Sequence, residues 1–236
     1  MKNILTIGGR QFRSYFNGPV AYIVICIVLL TLGFFFWKTF FLFGRASARE
    51  MFRWLGLILV FALPALTMGL LAEEKRTGTI ELLITMPVTE AQVILGKFLG
   101  VFGLYAVLLL LTLSYPLSIS TLGDLDWGPV WGGYLGLALQ GGAILAIGLM
   151  ASSWTNNQLI ALFVALTLSV FFWVLDKFLA LLPTAAASAL EWLSFDYHFQ
   201  SLARGVIDLR DVLFFVSVMI VALAASFRAL ESRRWS

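Results

Sequence analysis

Charged residues are scarce in this sequence. Only 12% of its 236 residues are Asp, Glu, Lys or Arg, whereas 61% are hydrophobic. Soluble domains carry about 25% charged and about 45–50% apolar residues, so an ordinary soluble enzyme is excluded. Because one membrane crossing takes about 20 apolar residues, the length allows about six crossings and leaves no room for a separate soluble domain. The net charge of +3 is too small to indicate nucleic-acid binding.

Cysteine and histidine each occur once. Cys26 alone forms neither an intrachain disulfide nor a cysteine metal cluster. The single histidine, His198, excludes bis-histidine haem ligation within the chain, and Ser152 and Ser153 have no histidine partner for serine-protease chemistry. We interpret His198 as an ordinary interfacial side chain, and a catalytic role is the alternative.

Two further kinds of active site are missing. The chain has no Gly-x-x-x-x-Gly-Lys-Ser/Thr phosphate loop, so it does not hydrolyse ATP by that route. Its apolar runs hold almost none of the ionisable residues that a secondary carrier needs at mid-membrane. Asp176 and Lys177 are adjacent at a predicted helix end. We interpret them as solvated residues that mark this end, and the alternative is that they belong to a loop that gates or contacts substrate. We predict no catalytic residue, no metal site and no cofactor in this chain.

Six apolar runs predict an all-α polytopic membrane protein with one domain over residues 1–236. An amphipathic stretch, residues 1–18, predicts a helix in the membrane interface. The mixed stretch 176–210 predicts an extracytoplasmic loop with short helices. Pro64 is expected to kink the second span. The predicted spans cover residues 19–36 (or 19–43), 54–72, 93–115, 130–151, 159–175 and 211–227.

Three glycines lie on the third predicted span. Gly96 and Gly100 form a small-xxx-small pair, which lets another helix approach closely, and Gly103 follows them. The pattern favours structural helix packing, and a dimer face is the alternative.

The distribution of Lys and Arg gives a weak preference for one orientation. With the N-terminus in the cytoplasm and six spans, nine of the 16 basic residues fall on the cytoplasmic side, as the positive-inside rule expects. Arg45, Arg49 and Arg53 in the first outer loop oppose this orientation. A facing acidic subunit or external lipid phosphates would account for them. We predict that both termini are cytoplasmic.

The longest polar stretch between spans covers residues 73–90. Its charges follow the second span, Gly78 breaks the helix, and Thr79 can cap a new one. Pro87 ends that helix and Thr89 can cap the third span. The pattern predicts a short amphipathic helix along the inner membrane face, and a solvated connection is the alternative.

Here the sequence resembles a known family. Residues 74–89 read Glu-Lys-Arg-Thr-Gly-Thr-Ile-Glu-Leu-Leu-x-x-x-Pro-Val-Thr, and residues 94–98 read Ile-Leu-Gly-Lys-Phe. Together they resemble the signature of type-2 ABC transporter permeases. The short chain, Phe-Asp-Tyr-His-Phe at 195–199 and Arg-Gly-Val-Ile-Asp at 204–208 are most similar to the gliding-motility (Gld) branch.

The resemblance implies that segment 73–90 forms a coupling helix against a separate cytoplasmic ATPase. Leu82 and Leu83 would insert into a groove of that ATPase, and Glu81 would meet basic groups at its rim. The first four charged residues would form a gate at the membrane. The residues implied in coupling are Glu73, Glu74, Lys75, Arg76, Thr79, Glu81, Leu82, Leu83 and Pro87.

The same resemblance implies the partners and the location. ATP and Mg would be held by the partner ATPase. A second permease subunit, identical or related with an extracytoplasmic domain, would complete the membrane part in contact with lipid. The location would be the bacterial cytoplasmic (inner) membrane. The implied function is that of a permease subunit that couples ATP hydrolysis to export or to mechanical work. The alternative is a membrane anchor or assembly scaffold that transports nothing.

Overall fold

The computed structural model of the chain describes residues 2–43, 48–79, 89–121, 123, 125–179 and 191–231. Within these residues the chain forms ten helices and no strand. The helices are α1 (Lys2–Asn17), α2 (Val20–Phe43), α3 (Arg49–Thr67), α4 (Ala72–Arg76), α5 (Glu90–Thr112), α6 (Ser114–Ser120), α7 (Trp127–Trp154), α8 (Gln158–Leu179), α9 (Phe195–Ala203) and α10 (Leu209–Glu231).

Six helical stretches are long and apolar enough to cross a membrane, which confirms the predicted all-α polytopic fold. They are Val20–Lys38, Arg49–Arg76, Glu90–Ser120, Trp127–Trp154, Gln158–Phe178 and Leu209–Glu231.

The helices extend beyond the apolar runs that predict them. For example, α3 begins at Arg49 rather than at residue 54, and α10 ends at Glu231 rather than at residue 227. An apolar run marks only the part that lipid or protein surrounds, whereas backbone hydrogen bonds continue into flanks whose long side chains reach water. Helix α3 also continues through Pro64 and ends at Thr67, after which a turn leads to α4.

Helix α7 is the centre of the bundle. In its apolar stretch 78% of the residues are buried, against 22%, 22% and 17% in the spans of α2, α8 and α10. Glycines let neighbouring helices approach it. A Cβ at Gly141 would lie 2.3 Å from Cζ of Tyr105 on α5, and one at Gly148 would lie 1.9 Å from Oγ1 of Thr67 on α3. The second and third spans therefore pack closely against small residues of α7, and these three spans are the most buried ones.

The bundle has two ends. The end of α3, helix α4, the start of α5, the end of α7 and the start of α8 share one of them, which we name the α4 end. The starts of α3, α7 and α10, the end of α8 and helix α9 share the other, the α9 end. Of the predicted loop 176–210, residues 180–190 lie outside the described residues, and most of the rest is helical. Its extracytoplasmic placement stays a prediction.

Candidate functional site

Ser152, near the end of α7, closes the start of α4. Its Oγ accepts the backbone N–H groups of Leu71 and Ala72 at 3.0 Å each and donates to the carbonyl of Met68 at 3.0 Å. The residue before α4, Leu71, has no side chain that can cap a helix. A serine from another span therefore satisfies N–H groups that a helix start leaves without partners.

Lys97 joins α5 to α4 and to the turn before it. Its Nζ donates to Oε1 of Glu74 and to the carbonyl of Leu70, at 2.7 Å each. The Lys97 side chain is 4% exposed and that of Glu74 is 28% exposed. Removing an ammonium from water costs on the order of several kcal/mol, so a buried lysine depends on such acceptors. The second and third spans are thus fixed to each other at this point.

Lys75 makes the corresponding contact on the other side of α4. Its side chain is buried, and its Nζ donates to the backbone carbonyl of Ser153 on α7. Glu74 and Lys75 thus face α5 and α7 respectively, while Glu73 and Arg76 are exposed. Four adjacent charged residues divide into two that hold α4 in the bundle and two that remain available at its surface.

The end of α4 is closed by glycine and two threonines. Gly78 has φ +72°, in the left-handed region that ends helices, which confirms that it breaks the helix. Thr77 Oγ1 donates to the Glu73 carbonyl at 2.9 Å, and Thr79 Oγ1 donates to the Glu74 carbonyl at 3.3 Å. The hydroxyl of Thr79 is therefore bonded back to α4, and the residues that Thr79 is predicted to cap lie outside the described ones.

The third span begins with a capping box. The Thr89 side chain accepts the Gln92 N–H, and the Gln92 side chain accepts the Thr89 N–H, both at 3.4 Å. This confirms the predicted cap at Thr89. Residues 80–88 lie between these two closed helix ends and outside the described residues. They include four residues of the predicted coupling segment, whose roles stay predictions: Glu81, Leu82, Leu83 and Pro87.

Helix α1 covers the glycine face of α5. A Cβ added at Gly96, Gly100 or Gly103 would lie 2.7, 2.6 and 3.1 Å from side-chain atoms of α1. The contacts advance along both helices in the same direction, so α1 runs alongside the start of α5. The Tyr15 hydroxyl fastens α1 to α3 by donating to the Leu66 carbonyl at 2.9 Å, and burial raises the pKa of Tyr15. A dimer face at these glycines would require α1 to move away from α5. The interfacial position of residues 1–18 stays a prediction.

At the α9 end, His198 is buried, unlike an ordinary interfacial side chain. Its exposed fraction is 1%, its Nδ1 lies 2.7 Å from Oδ1 of Asp211, and its Nε2 lies 3.0 Å from the Trp192 carbonyl. The ring also stacks on Phe214 with centroids 4.1 Å apart. Both ring nitrogens therefore lie within hydrogen-bond distance of an oxygen atom. This pair fixes α9 to α10.

The adjacent residues Asp176 and Lys177 also connect helices. The Lys177 ammonium lies 2.9 Å from Asp176 and 2.8 Å from Asp196 on α9. Lys177 is exposed at the end of α8, as a solvated boundary residue would be, but it holds α9 as well.

The sequence did not predict which residues of other helices bond to α4. Lys97 appears in the family-like motif, and an isolated lysine inside an apolar run is itself a signal that a buried partner exists. Nothing local marks Ser152, because its role depends on which helix end lies beside it. In the described part of the chain no three His, Cys, Asp or Glu residues are grouped so that they could hold a metal ion. At the α4 end, hydrogen bonds join α4 and the turn before it to α5 and α7.

One family model matches this chain. It is the model of the ABC-2 family transporter protein, and it covers residues 46–227, which is well over half of the chain. The match includes α4, Lys97, Ser152, four complete candidate spans and most of the fifth, Leu209–Glu231. No curated protein sequence matches the chain. The chain belongs to the ABC-2 transporter family and is the multi-pass membrane permease component of an ABC transporter.

Proposed function

We propose that this permease subunit is driven by a separate cytoplasmic ATPase that binds segment 73–90. ATP and Mg are held by that ATPase, and its cycle is coupled here to export or to mechanical work. The α4 end faces the bacterial cytoplasm, with both termini on that side of the inner membrane. A second permease subunit, identical or related as in the Gld branch, completes the membrane part among lipids.

One observation carries this proposal: α4 is joined to two different spans at once. Lys97 bonds it to α5, and Ser152 bonds it to α7. Because α7 is the most buried span and contacts the other spans around it, a displacement of α4 reaches the middle of the bundle. A ligand shifts a conformational equilibrium only through contacts that differ between two states, and a helix joined to two spans can make such contacts differ.

The position of segment 80–88 supports the same proposal. It begins after the turn at Gly78 and returns at the capping box of Thr89. Both ends are thus held by defined hydrogen bonds, so force applied between them is passed on to α4 and α5. Leu82 and Leu83 would supply the apolar contact with the ATPase, and Glu81 the charged contact at its rim.

The test is co-purification of the tagged chain from its native membrane, followed by an assay of Mg-ATP hydrolysis. We compare wild type with Leu82→Asp/Leu83→Asp. The matched control is Leu82→Met/Leu83→Met, which keeps an apolar surface at the same positions. Tryptophan fluorescence during heating reports whether each variant is folded.

We expect the ATPase to accompany wild type and the methionine control and to be lost from the aspartate variant, while all three unfold at similar temperatures. If no ATPase accompanies wild type, the proposal fails and the non-transporting scaffold takes its place. If the aspartate variant retains the ATPase, coupling does not pass through Leu82 and Leu83.

A further inference from the structure

A basic cleft opens at the α9 end between α3, α8 and α9. Its volume is about 630 Å³. Its charged lining residues are four basic side chains and two acidic ones: Arg49, Arg53, Lys177, Arg204, Glu50 and Asp196. Asp176 lies just outside this lining and 2.9 Å from Lys177, so with it the cleft has four basic and three acidic side chains and a net charge of plus one.

The side chains of Arg53 and Arg204 remain exposed despite the acidic residues of the cleft. Asp196 is bonded to Lys177 at 2.8 Å and to the Gln200 amide at 2.9 Å. Glu50 reaches Arg53 only at 3.8 Å, with the Arg53 side chain 74% exposed. Arg204 is exposed, and its Nε donates to the Gln200 carbonyl at 3.2 Å. The excess charge thus lies on exposed guanidinium groups, which suit bidentate binding of phosphate oxygens.

The floor of the cleft is aromatic and apolar. It includes Trp54, Leu57 and Trp173. The Trp54 Nε1 atom is buried and has no acceptor within the described parts of the chain, so an oxygen of a bound molecule would satisfy a donor that is otherwise costly to bury. The Lys177 ammonium lies 5.3 Å from the Trp173 ring centroid, which holds this cation at the cleft edge.

An open apolar surface lies along α8. The space at this surface has a volume of about 490 Å³ and is lined by residues of α8 alone, among them Val170 and Val174. These two residues lie one helical turn before Trp173 and Lys177, so the apolar surface and one wall of the basic cleft belong to the same helix. A basic cleft with an apolar surface on the same helix fits a molecule with an anionic head and a hydrocarbon chain better than it fits a free anion or an acidic peptide.

The surroundings place this cleft at head-group depth. Tryptophan is enriched where membrane proteins cross the lipid–water interface. Six of the eight tryptophans lie at the α9 end: Trp37, Trp54, Trp127, Trp131, Trp173 and Trp192.

We propose that the cleft between α3, α8 and α9 binds the phosphate head group of an anionic membrane phospholipid, with an acyl chain along α8. In the orientation proposed above, the site also accounts for arginines at an end of the bundle where the positive-inside rule disfavours them. It requires only that the α9 end lie at a membrane surface, so it does not rest on the proposed coupling to an ATPase.

The test is lipid binding to the purified full chain in detergent, followed by native mass spectrometry. The probes are dioleoyl-phosphatidylglycerol, dioleoyl-phosphatidylcholine and inorganic phosphate. The cleft variant is Arg53→Gln/Arg204→Gln. The matched control is Arg13→Gln/Arg228→Gln, which removes two exposed arginines from the α4 end. A second variant, Arg53→Lys/Arg204→Lys, keeps the charge, so it still tests the cleft if the first variant does not fold.

We expect wild type and the control to bind phosphatidylglycerol in preference to phosphatidylcholine. The glutamine variant should bind phosphatidylglycerol about 20-fold more weakly, since each basic residue near the surface contributes modestly to holding an anionic lipid. The lysine variant should bind at an intermediate level.

Three outcomes overturn the proposal. One is equal loss of phosphatidylglycerol in the cleft and control variants. Another is displacement of the lipid by millimolar inorganic phosphate, which would make the cleft an anion site without a lipid. The third is loss of a co-purifying protein, but not of lipid, from the cleft variant in native membranes, which would make the cleft a contact for an acidic partner.

Discussion

The ammonium of Lys97 lies 2.7 Å from the carboxylate of Glu74, and this ion pair joins the third span to the helix that follows the second. The same ammonium bonds the Leu70 carbonyl in the turn between α3 and α4. One side chain thus holds both the turn and the short helix against α5. Any movement of α4 away from α5 must break these bonds, so the pair is a natural point at which two conformations of the permease could differ.

Replacing Lys97 by Met removes both hydrogen bonds and keeps the length of the side chain. We expect the protein to lose about 2–3 kcal/mol of stability, since hydrogen bonds to charged groups contribute about that much. In a complex with the ATPase proposed above, ATP with vanadate should alter hydrogen exchange of α5 in wild type and much less in Lys97→Met. Glu74→Gln keeps an acceptor and serves as the control with a smaller effect. An unchanged nucleotide response in Lys97→Met would contradict a coupling role for the pair.

Ser152→Ala removes the cap that α7 supplies to α4. The expected loss is about 1–2 kcal/mol, because two buried N–H groups lose their acceptor. Hydrogen exchange at Leu71 and Ala72 should become faster. Ser153→Ala is a matched control next to it, since the Ser153 hydroxyl bonds only within α7, to the Met150 carbonyl, and the backbone acceptor of Lys75 remains. Equal effects of the two substitutions would show that the cap is unimportant.

Gly100→Ala tests the packing of α1 on α5. An added Cβ would lie 2.6 Å from Gln11 Cβ and 2.8 Å from the Gly8 carbonyl oxygen, so backbone would have to shift. We expect a loss of about 1–3 kcal/mol, measured by thermal unfolding. Gly9→Ala on the open side of α1 has nothing within 4 Å and should stabilise by up to about 1 kcal/mol. Tolerance of alanine at residue 100 would mean that α1 does not pack there.

His198→Phe keeps a ring against Phe214 but leaves Asp211 buried without its partner. The expected cost is about 1–3 kcal/mol, because a buried polar group that loses its hydrogen-bond partner keeps its cost of removal from water. The double variant His198→Phe/Asp211→Leu should recover most of this loss, because it removes the uncompensated carboxylate as well. Thermal unfolding in detergent measures both. If the double variant is no more stable than His198→Phe, Asp211 contributes nothing that depends on the histidine.

The sequence by itself determined the class of the protein. Apolar runs long enough to cross a bilayer are local properties, so the six spans follow from composition and length. The helix break at Gly78 and the helix cap at Thr89 are predictable for the same reason, since each involves residues within a few positions of each other. The motif at residues 74–98 indicated the family that the match over residues 46–227 then showed.

Only the tertiary structure decided which polar groups meet. Lys97 and Glu74 are 23 positions apart, and Ser152 lies 80 positions from the amide that it caps at Ala72. The glycines of α5 could have faced lipid, a second subunit or α1, because small residues permit close packing without naming the partner. The polar and aromatic neighbours of His198 in sequence favour an interfacial position, yet α10 buries this side chain against Asp211. Such pairings depend on how distant helices pack, and no local pattern of residues encodes that arrangement.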